Sequence, residues 1–415
     1  MDYQNTNISD NDFEKCTKCT VCTVYCPVSA VNPSYPGPKQ AGPDGERFRL
    51  KKPRFFSEAL KYCLNCKRCE VACPSNVKVG DIIQSARIAY TKQPPSLRDR
   101  MLASTDALGA VATMAAPVVN AVLSAAPVKA AMGIVAGIAP ARTMPRYASQ
   151  KFTSWYRSHA LARQEAMPRK VSFFHGCYVN YNNPQLGHDL IDVLNAAGIG
   201  VMLLDEERCC GIAKISNRLV GSARRDAMLN LRSIRTAVER YGSPVITTGS
   251  TCTLTMRDEY PHLLHIDNAD VRDNIMLATK YIYTLADRGE IRLVWREDFH
   301  MKIAYHVPCH MQKLGWTYYS ASLLRMIPGV ELTVLDSDCC GMAGTYGFKK
   351  ENYKYSQEIG RALFDRLDTL APDLVATDCE TCKWQIEMST RFPAVHPVSV
   401  IARALDIEKT RKANS

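Results

Sequence analysis

The alternation of apolar and polar positions divides the chain into three unlike stretches. From about Arg169 onward, short β-branched runs (Val171 to Phe174, Val201 to Leu204, Val245 to Thr248, Ile303 to His306, Leu332 to Leu335 and Leu374 to Thr377) alternate with segments of helical period. That alternation predicts an α/β region. Upstream, Ala107 to Ala141 is built of Ala, Val, Met, Ile and Gly, with Lys129 as its one charge. Nearer the N-terminus, residues 27–62 are rich in proline and glycine. Phe55 to Tyr62 reads as a helix, and Asp81 to Tyr90 as another with Ile82, Ile83, Ala86 and Ala89 at helical spacing, ended by Pro94 and Pro95.

The α/β region is a duplication. Lys170 to Phe174 leading to Cys177 matches Lys302 to His306 leading to Cys309. Leu203-Leu204-Asp205 before Cys209-Cys210-Gly211 matches Val334-Leu335-Asp336 before Cys339-Cys340-Gly341. Cys177 and Cys309 are 132 residues apart, and 130 separate Cys209 from Cys339, Cys210 from Cys340 and Cys252 from Cys382. In each half one cysteine ends a strand, a Cys-Cys-Gly follows a second strand and a last cysteine follows a third. Strand ends on one edge of a parallel sheet converge, so these thiols are expected to line one pocket per half and to suit a soft metal or an iron–sulfur cluster. Gly211 and Gly341 would let the backbone turn closely past such a centre. The second half is the fuller, with Cys309, Cys339, Cys340, Cys379 and Cys382; in the first, beside Cys177, Cys209, Cys210 and Cys252, Gly249 stands where Cys379 does. His306 and His310 flank Cys309 and read first as hydrogen-bonded histidines near a strand end, with ligation or proton donation as the alternative. Gly344 and Gly347 read as packing glycines, and Trp316 and Trp384 as packing residues.

The densest chemistry lies ahead of all this. Cys16, Cys19, Cys22 and Cys26 are spaced C-x2-C-x2-C-x3-C-P, and Cys63, Cys66, Cys69 and Cys73 repeat that spacing, closed by Pro27 and Pro74. Three thiolates so spaced can wrap three corners of a cubane, while the fourth is carried off to the other cluster. The expected ligand sets are crossed: Cys16, Cys19, Cys22 and Cys73 for one [4Fe-4S] cluster; Cys63, Cys66, Cys69 and Cys26 for the other. C-x2-C pairs also build zinc sites, but zinc gives no reason for the third step or the trailing proline. The Pro/Gly-rich residues 27–62 between the motifs read as a loop wrapping a cluster.

Composition narrows what surrounds these centres. All seventeen cysteines fall in the clustered or repeated motifs, which reads as metal ligation in a reducing compartment rather than a disulfide framework. Met1 to Glu14 is polar and acidic, unlike a secretory signal. The net charge of +11 permits an anionic surface as partner, and seven Lys/Arg between Arg142 and Lys170, with Tyr147, Phe152, Trp155 and Tyr156 among them, adjoin the apolar stretch. This combination favours an interfacial membrane anchor; tight packing on a partner protein is the alternative. Pro117, Pro127 and Pro140 argue against a continuous span. No nucleic-acid partner is expected, because the basic residues form no domain-wide groove. No G-x-G-x-x-G follows a strand, so a flavin or nicotinamide is expected on another subunit.

Two ferredoxin motifs followed by two C…CCG…C repeats resemble the fused iron–sulfur and cysteine-rich-domain (CCG) proteins related to heterodisulfide reductase. The stretches Pro36 to Arg47, Cys339 to Lys350 and Thr377 to Gln385 narrow the resemblance to members serving anaerobic glycerol 3-phosphate oxidation. It implies an α+β multidomain chain: a mainly α-helical two-[4Fe-4S] ferredoxin-like domain over 1–98, a helical linker and possible surface anchor over 99–168, and CCG repeats over 169–298 and 299–415. It also implies a relay carrying electrons from flavoprotein A and B subunits to menaquinone, peripheral on the cytoplasmic face of the inner membrane. A complete five-cysteine set implies a non-cubane [4Fe-4S] cluster on Cys309, Cys339, Cys340, Cys379 and Cys382; Gly249 leaves open what Cys177, Cys209, Cys210 and Cys252 hold. A stand-alone CCG redox enzyme, a lactate- or glycolate-oxidation component or a disulfide reductase, is the competing function.

Overall fold

The computed structural model describes residues 13–55, 58–335 and 338–415. Residues 1–12 of the polar N-terminal stretch, residues 56 and 57 of the expected helix Phe55 to Tyr62, and Asp336 lie outside them.

The six expected strands form, as β1 (Arg169–Phe174), β2 (Ile199–Leu203), β3 (Val245–Thr247), β5 (Met301–His306), β6 (Val330–Leu335) and β7 (Leu374–Ala376). Two short ones join them, β4 (Ile275–Leu277) and β8 (Ala394–Val395). They make two all-parallel sheets of identical order, β2-β1-β3-β4 and β6-β5-β7-β8. Register agrees too: Phe173 faces Leu203 and Ile246, as Tyr305 faces Val334 and Ala376. In this order the chain steps to one side of β1 and returns on the other. That reversal opens a crevice at the carboxyl ends of β1 and β3, and likewise of β5 and β7.

The repeats share one core. Val171, Phe173, Ile303, Tyr305 and Leu374 belong to a single buried cluster. Helix Pro184–Ala196 of the first repeat packs on Pro397–Ala404 of the second, and Ala278–Asp287 of the first packs on Thr317–Arg325 of the second. Because Pro184–Ala196 corresponds to Thr317–Arg325 and Ala278–Asp287 to Pro397–Ala404, the two contacts are reciprocal, an internal pseudo-twofold. Asp378, wholly buried, pins the seam: its carboxylate accepts from Tyr305 at 2.6 Å and Ser320 at 3.0 Å, and its carbonyl accepts from the Ser250 N–H at 2.9 Å.

The ferredoxin motifs sit in short turns with matching backbone: Lys18 and Thr20 in the first, Asn65 and Lys67 in the second, all have positive φ. The expected helix Asp81 to Tyr90 is present as Val79–Tyr90. Residues 27–62 are less loop-like than expected. Pro27–Val31 is helical, and helical turns over Gln40–Asp44 and Gly45–Arg49 are locked by buried Arg49, which donates to Glu46 at 2.7 Å and to the Ala41 carbonyl at 2.8 Å. Of the helix expected over Phe55 to Tyr62, a single 3-10 turn, Ala59–Tyr62, is described.

The apolar stretch is three short helices, Thr105–Met114, Ala116–Ser124 and Ala126–Val135, with Pro117 and Pro127 each in the first turn of the next one. Among the described residues no single helix is long and apolar enough to cross a membrane; the first two, long enough together, bend by 109°. Their outer face is unusually apolar: Val111 is 63% exposed, Met114 77%, Val118 65%, Ile134 82% and Val135 86%. Of the four aromatic residues in the basic segment, Tyr147 and Trp155 are half-buried and two face inward. Phe152 and Tyr156 are buried against Phe173 and β2, the Tyr156 hydroxyl donating to the Val201 carbonyl at 2.7 Å, because the helix that carries them closes the first repeat's core.

Candidate metal centres

All seventeen cysteines are free thiols. Their grouping follows from the folded backbone. In the ferredoxin part the fourth cysteine of each motif crosses over: Cys22 has Cys16, Cys73 and Cys19 as its charge neighbours, while Cys26 lies by Cys66 and Cys63, and Cys69 by Cys66, Cys63 and Cys26. Burial pushes the Cys26 thiol up to about 12 and raises Cys69 as well. Neutral thiols are costly to ionise there, and a bound cation is what stabilises thiolates in such a place. Cys19 is exposed, so the Cys16, Cys19, Cys22 and Cys73 group reaches the surface. The other group is covered by Tyr35, itself buried among Cys63, Cys26, Cys69 and Cys66 and stacked edge-on to Tyr62.

That inner group touches the second repeat. Cys66 interacts directly with Cys309 and lies by Cys339, and Arg68 faces Cys309, Cys339 and Cys66 together. Helix Cys309–Leu314 packs on Arg68–Val71, and His310 bridges the parts, one ring nitrogen against the Asn65 carbonyl at 3.0 Å and the other against Thr251 at 3.1 Å. The hydrogen-bonded reading holds for His310. A buried ion network, invisible in the sequence, backs this joint: Lys67 pairs with Asp81 and with Glu259 at 3.4 Å, Asn65 donates to Glu259 at 2.6 Å, and Lys313 meets Glu70 at 2.7 Å. Nothing in the local pattern around Glu259 or Lys313 announces such partners.

At the carboxyl ends of the second sheet all five cysteines converge. Cys309 contacts Cys339, Cys339 contacts Cys340, Cys340 contacts Cys382, and Cys382 contacts Cys379. The hydrogen-bonded Cys382 holds Cys379 down to about 6, and Thr381 lies 3.2 Å from it. Gly341, at φ +83°, is required here: a Cβ would stand 2.0 Å from the Ser356 carbonyl oxygen. His306, at the end of β5, is wholly buried with neither ring nitrogen hydrogen-bonded, unlike the satisfied histidine expected. Burial holds it down to about 4.

In the first repeat Cys177 and Cys209 lie 3.8 Å apart, with Cys210 against Cys209 and Cys252. Glu207 orders the turn into Cys177 by accepting the His175 and Gly176 N–H groups at 3.1 and 2.7 Å. Gly249 has extended backbone, and a Cβ there would lie 3.4 Å from Cys252 Sγ and 3.6 Å from Glu380 Oε2. The missing fifth cysteine is therefore not forced by a backbone only glycine can adopt. The pseudo-twofold turns the two sets toward each other across one cavity of about 230 Å³, into which Cys66, Cys177, Cys252, Cys309 and Cys379 all open. Leu102, Leu108, Met144 and Trp384 form its apolar wall. The donor chemistry, buried clustered thiols with soft sulfur and few carboxylates, fits iron–sulfur groups.

Known proteins share these features. A 4Fe-4S dicluster domain model matches residues 12–77, and a cysteine-rich domain model matches twice, over 171–257 and 303–387. The C subunit of the anaerobic glycerol-3-phosphate dehydrogenase of Escherichia coli (strain K12) is 56% identical over 96% of this chain and 100% of its own. The iron-sulfur subunit of the glycolate oxidase of the same organism is 26% identical over 93% of this chain and 94% of its own. The B subunit of the fumarate reductase (CoM/CoB) of Methanothermobacter marburgensis is 27% identical over 56% of this chain and 44% of its own.

Proposed function

The chain belongs to the family of the anaerobic glycerol-3-phosphate dehydrogenase C subunit, an iron–sulfur protein, and on that premise we propose that it carries electrons from flavoprotein A and B subunits oxidising glycerol 3-phosphate to menaquinone at the cytoplasmic face of the membrane. Two crossed [4Fe-4S] sets (Cys16, Cys19, Cys22, Cys73 and Cys63, Cys66, Cys69, Cys26) and a further non-cubane cluster on Cys309, Cys339, Cys340, Cys379 and Cys382 would supply the one-electron carriers. In this reading residues 1–98 are the entry module, 99–168 the membrane-facing linker, and 169–298 and 299–415 the two repeats.

The observation that carries the proposal is the joint at Cys66, which puts a ferredoxin cysteine in contact with Cys309 and beside Cys339 of the second repeat. What the chain's own residues do there is hold the parts in position. The positive-φ turns at Asn65 and Lys67 aim Cys66 at the second repeat, His310 and the Lys67 network fix the two parts against each other, and Tyr35 packs over one side of the inner group. Cys19 gives the outer group a surface at which a donor can dock.

Reconstitution with the flavoprotein subunits tests this. Cys66→Ser is expected to abolish glycerol-3-phosphate-dependent menaquinone reduction while dye reduction by the flavoprotein continues; full quinone reduction by this variant would overturn the relay. The cavity shared by both repeats favours a second reading, substrate chemistry at the paired cysteine sets as in a disulfide reductase. Turnover of a disulfide by this chain with a reduced dye alone would select it.

A further inference from the structure

Position 306 is where the two halves differ most pointedly after Gly249. The strand Lys170 to Phe174 is repeated as Lys302 to His306, so His306 occupies the place of Phe174. Phe174 packs in an apolar cluster with Cys209, Cys210 and Leu204. His306 is equally buried, at 0% exposure, yet brings two polar nitrogens to that position, and neither meets a hydrogen-bond partner in the protein. An imidazole has a donor or an acceptor at each nitrogen, and leaving one buried and unsatisfied costs about 1–3 kcal/mol. A histidine here is a poor substitute for phenylalanine unless something else takes its lone pair.

The geometry says what. A ring nitrogen of His306 and the sulfurs of Cys340 and Cys382 all lie within 4.8 Å of one another, and all three side chains are buried. Imidazole with thiolate is a donor set that iron and zinc accept. We propose that His306 is a metal ligand of the second repeat, one ring nitrogen binding the metal held by Cys340 and Cys382. The second repeat is then a mixed nitrogen–sulfur centre, while Phe174 leaves the first with sulfur alone. The inference rests on the reading that the second repeat carries metal.

The test uses whole, anaerobically purified protein grown on ¹⁵N-histidine or unlabelled histidine, as wild type, His306→Phe, His310→Gln and Cys382→Ser. His306→Phe restores the residue that the first repeat already accommodates at this place, and the ferredoxin signals report that the fold survives. Pulsed EPR of the signal lost in Cys382→Ser is expected to show a bonded-nitrogen coupling that changes with the label, vanishes in His306→Phe and persists in His310→Gln. Release of the second-repeat metal to a chelator is expected to be at least about tenfold faster in His306→Phe. Unchanged release, or a nitrogen coupling that persists in His306→Phe, overturns the ligation. Wild-type metal confined to the ferredoxin complement removes instead the premise that the second repeat is loaded, and the ligation with it.

Discussion

Gly341 shows how much of the second site hangs on one residue. Its φ of +83° and the 2.0 Å approach of a notional Cβ to the Ser356 carbonyl leave no side chain room. Gly341→Ala is expected to destabilise the chain by about 2–4 kcal/mol, with loss of the second-repeat metal. Gly289, also at positive φ but with nothing within 4 Å, provides the comparison: Gly289→Ala should cost only about 1–2 kcal/mol and leave metal untouched. Denaturation curves and metal content together check both. The cysteines and this glycine were legible in the sequence because spacing and repetition mark them. His306 was legible only as one of two histidines beside Cys309 with ligation as the alternative, since a strand-end histidine looks alike in sequence whether hydrogen-bonded or orphaned; its burial beside Cys340 and Cys382 is visible in the fold alone.

Among the elements, the strands were the most legible because alternating β-branched runs are strong local signals, and the two that the pattern missed, β4 and β8, are short edge strands of three and two residues. The apolar helices were harder. Their composition suggests a membrane surface, but the structure also anchors them inward through Arg142, which donates to the Gly347 carbonyl at 2.6 Å, Ser356 at 2.6 Å and Gln385, while its guanidinium lies over the Tyr353 ring. A basic residue counted toward a surface charge is in fact the bolt between linker and second repeat. Arg142→Met is expected to cost about 2–4 kcal/mol through the acceptors left buried and unpaired, read as earlier denaturation and as new protease cleavage between 104 and 141. The outward face makes the opposite demand. Val111→Asp with Val118→Asp should reduce co-sedimentation with anionic vesicles about tenfold or more, leaving iron content unchanged, and wild-type binding should weaken as salt rises. Binding that ignores both substitutions would assign this face to a protein partner.

For the molecule as a whole, duplication, docking and asymmetry act together. The pseudo-twofold makes two facing cysteine sets from one fold, and the ferredoxin part breaks that symmetry by placing Cys66 against the second. The fuller cysteine set, the histidine in place of phenylalanine and the contact with the ferredoxin all fall on the same repeat. Sequence spacing predicted the sets but could not show that they meet, because the joint is made by Asn65, His310, Lys67 and Glu259, residues with no shared motif. The proposed relay depends on a third, loaded redox station at that joint. Iron and acid-labile sulfide per chain, with EPR, on anaerobically purified wild type and Cys339→Ser test it most directly. About twelve irons, with a signal beyond the cubanes that disappears in Cys339→Ser, is the predicted result; about eight irons and spectra identical in the two proteins would contradict it.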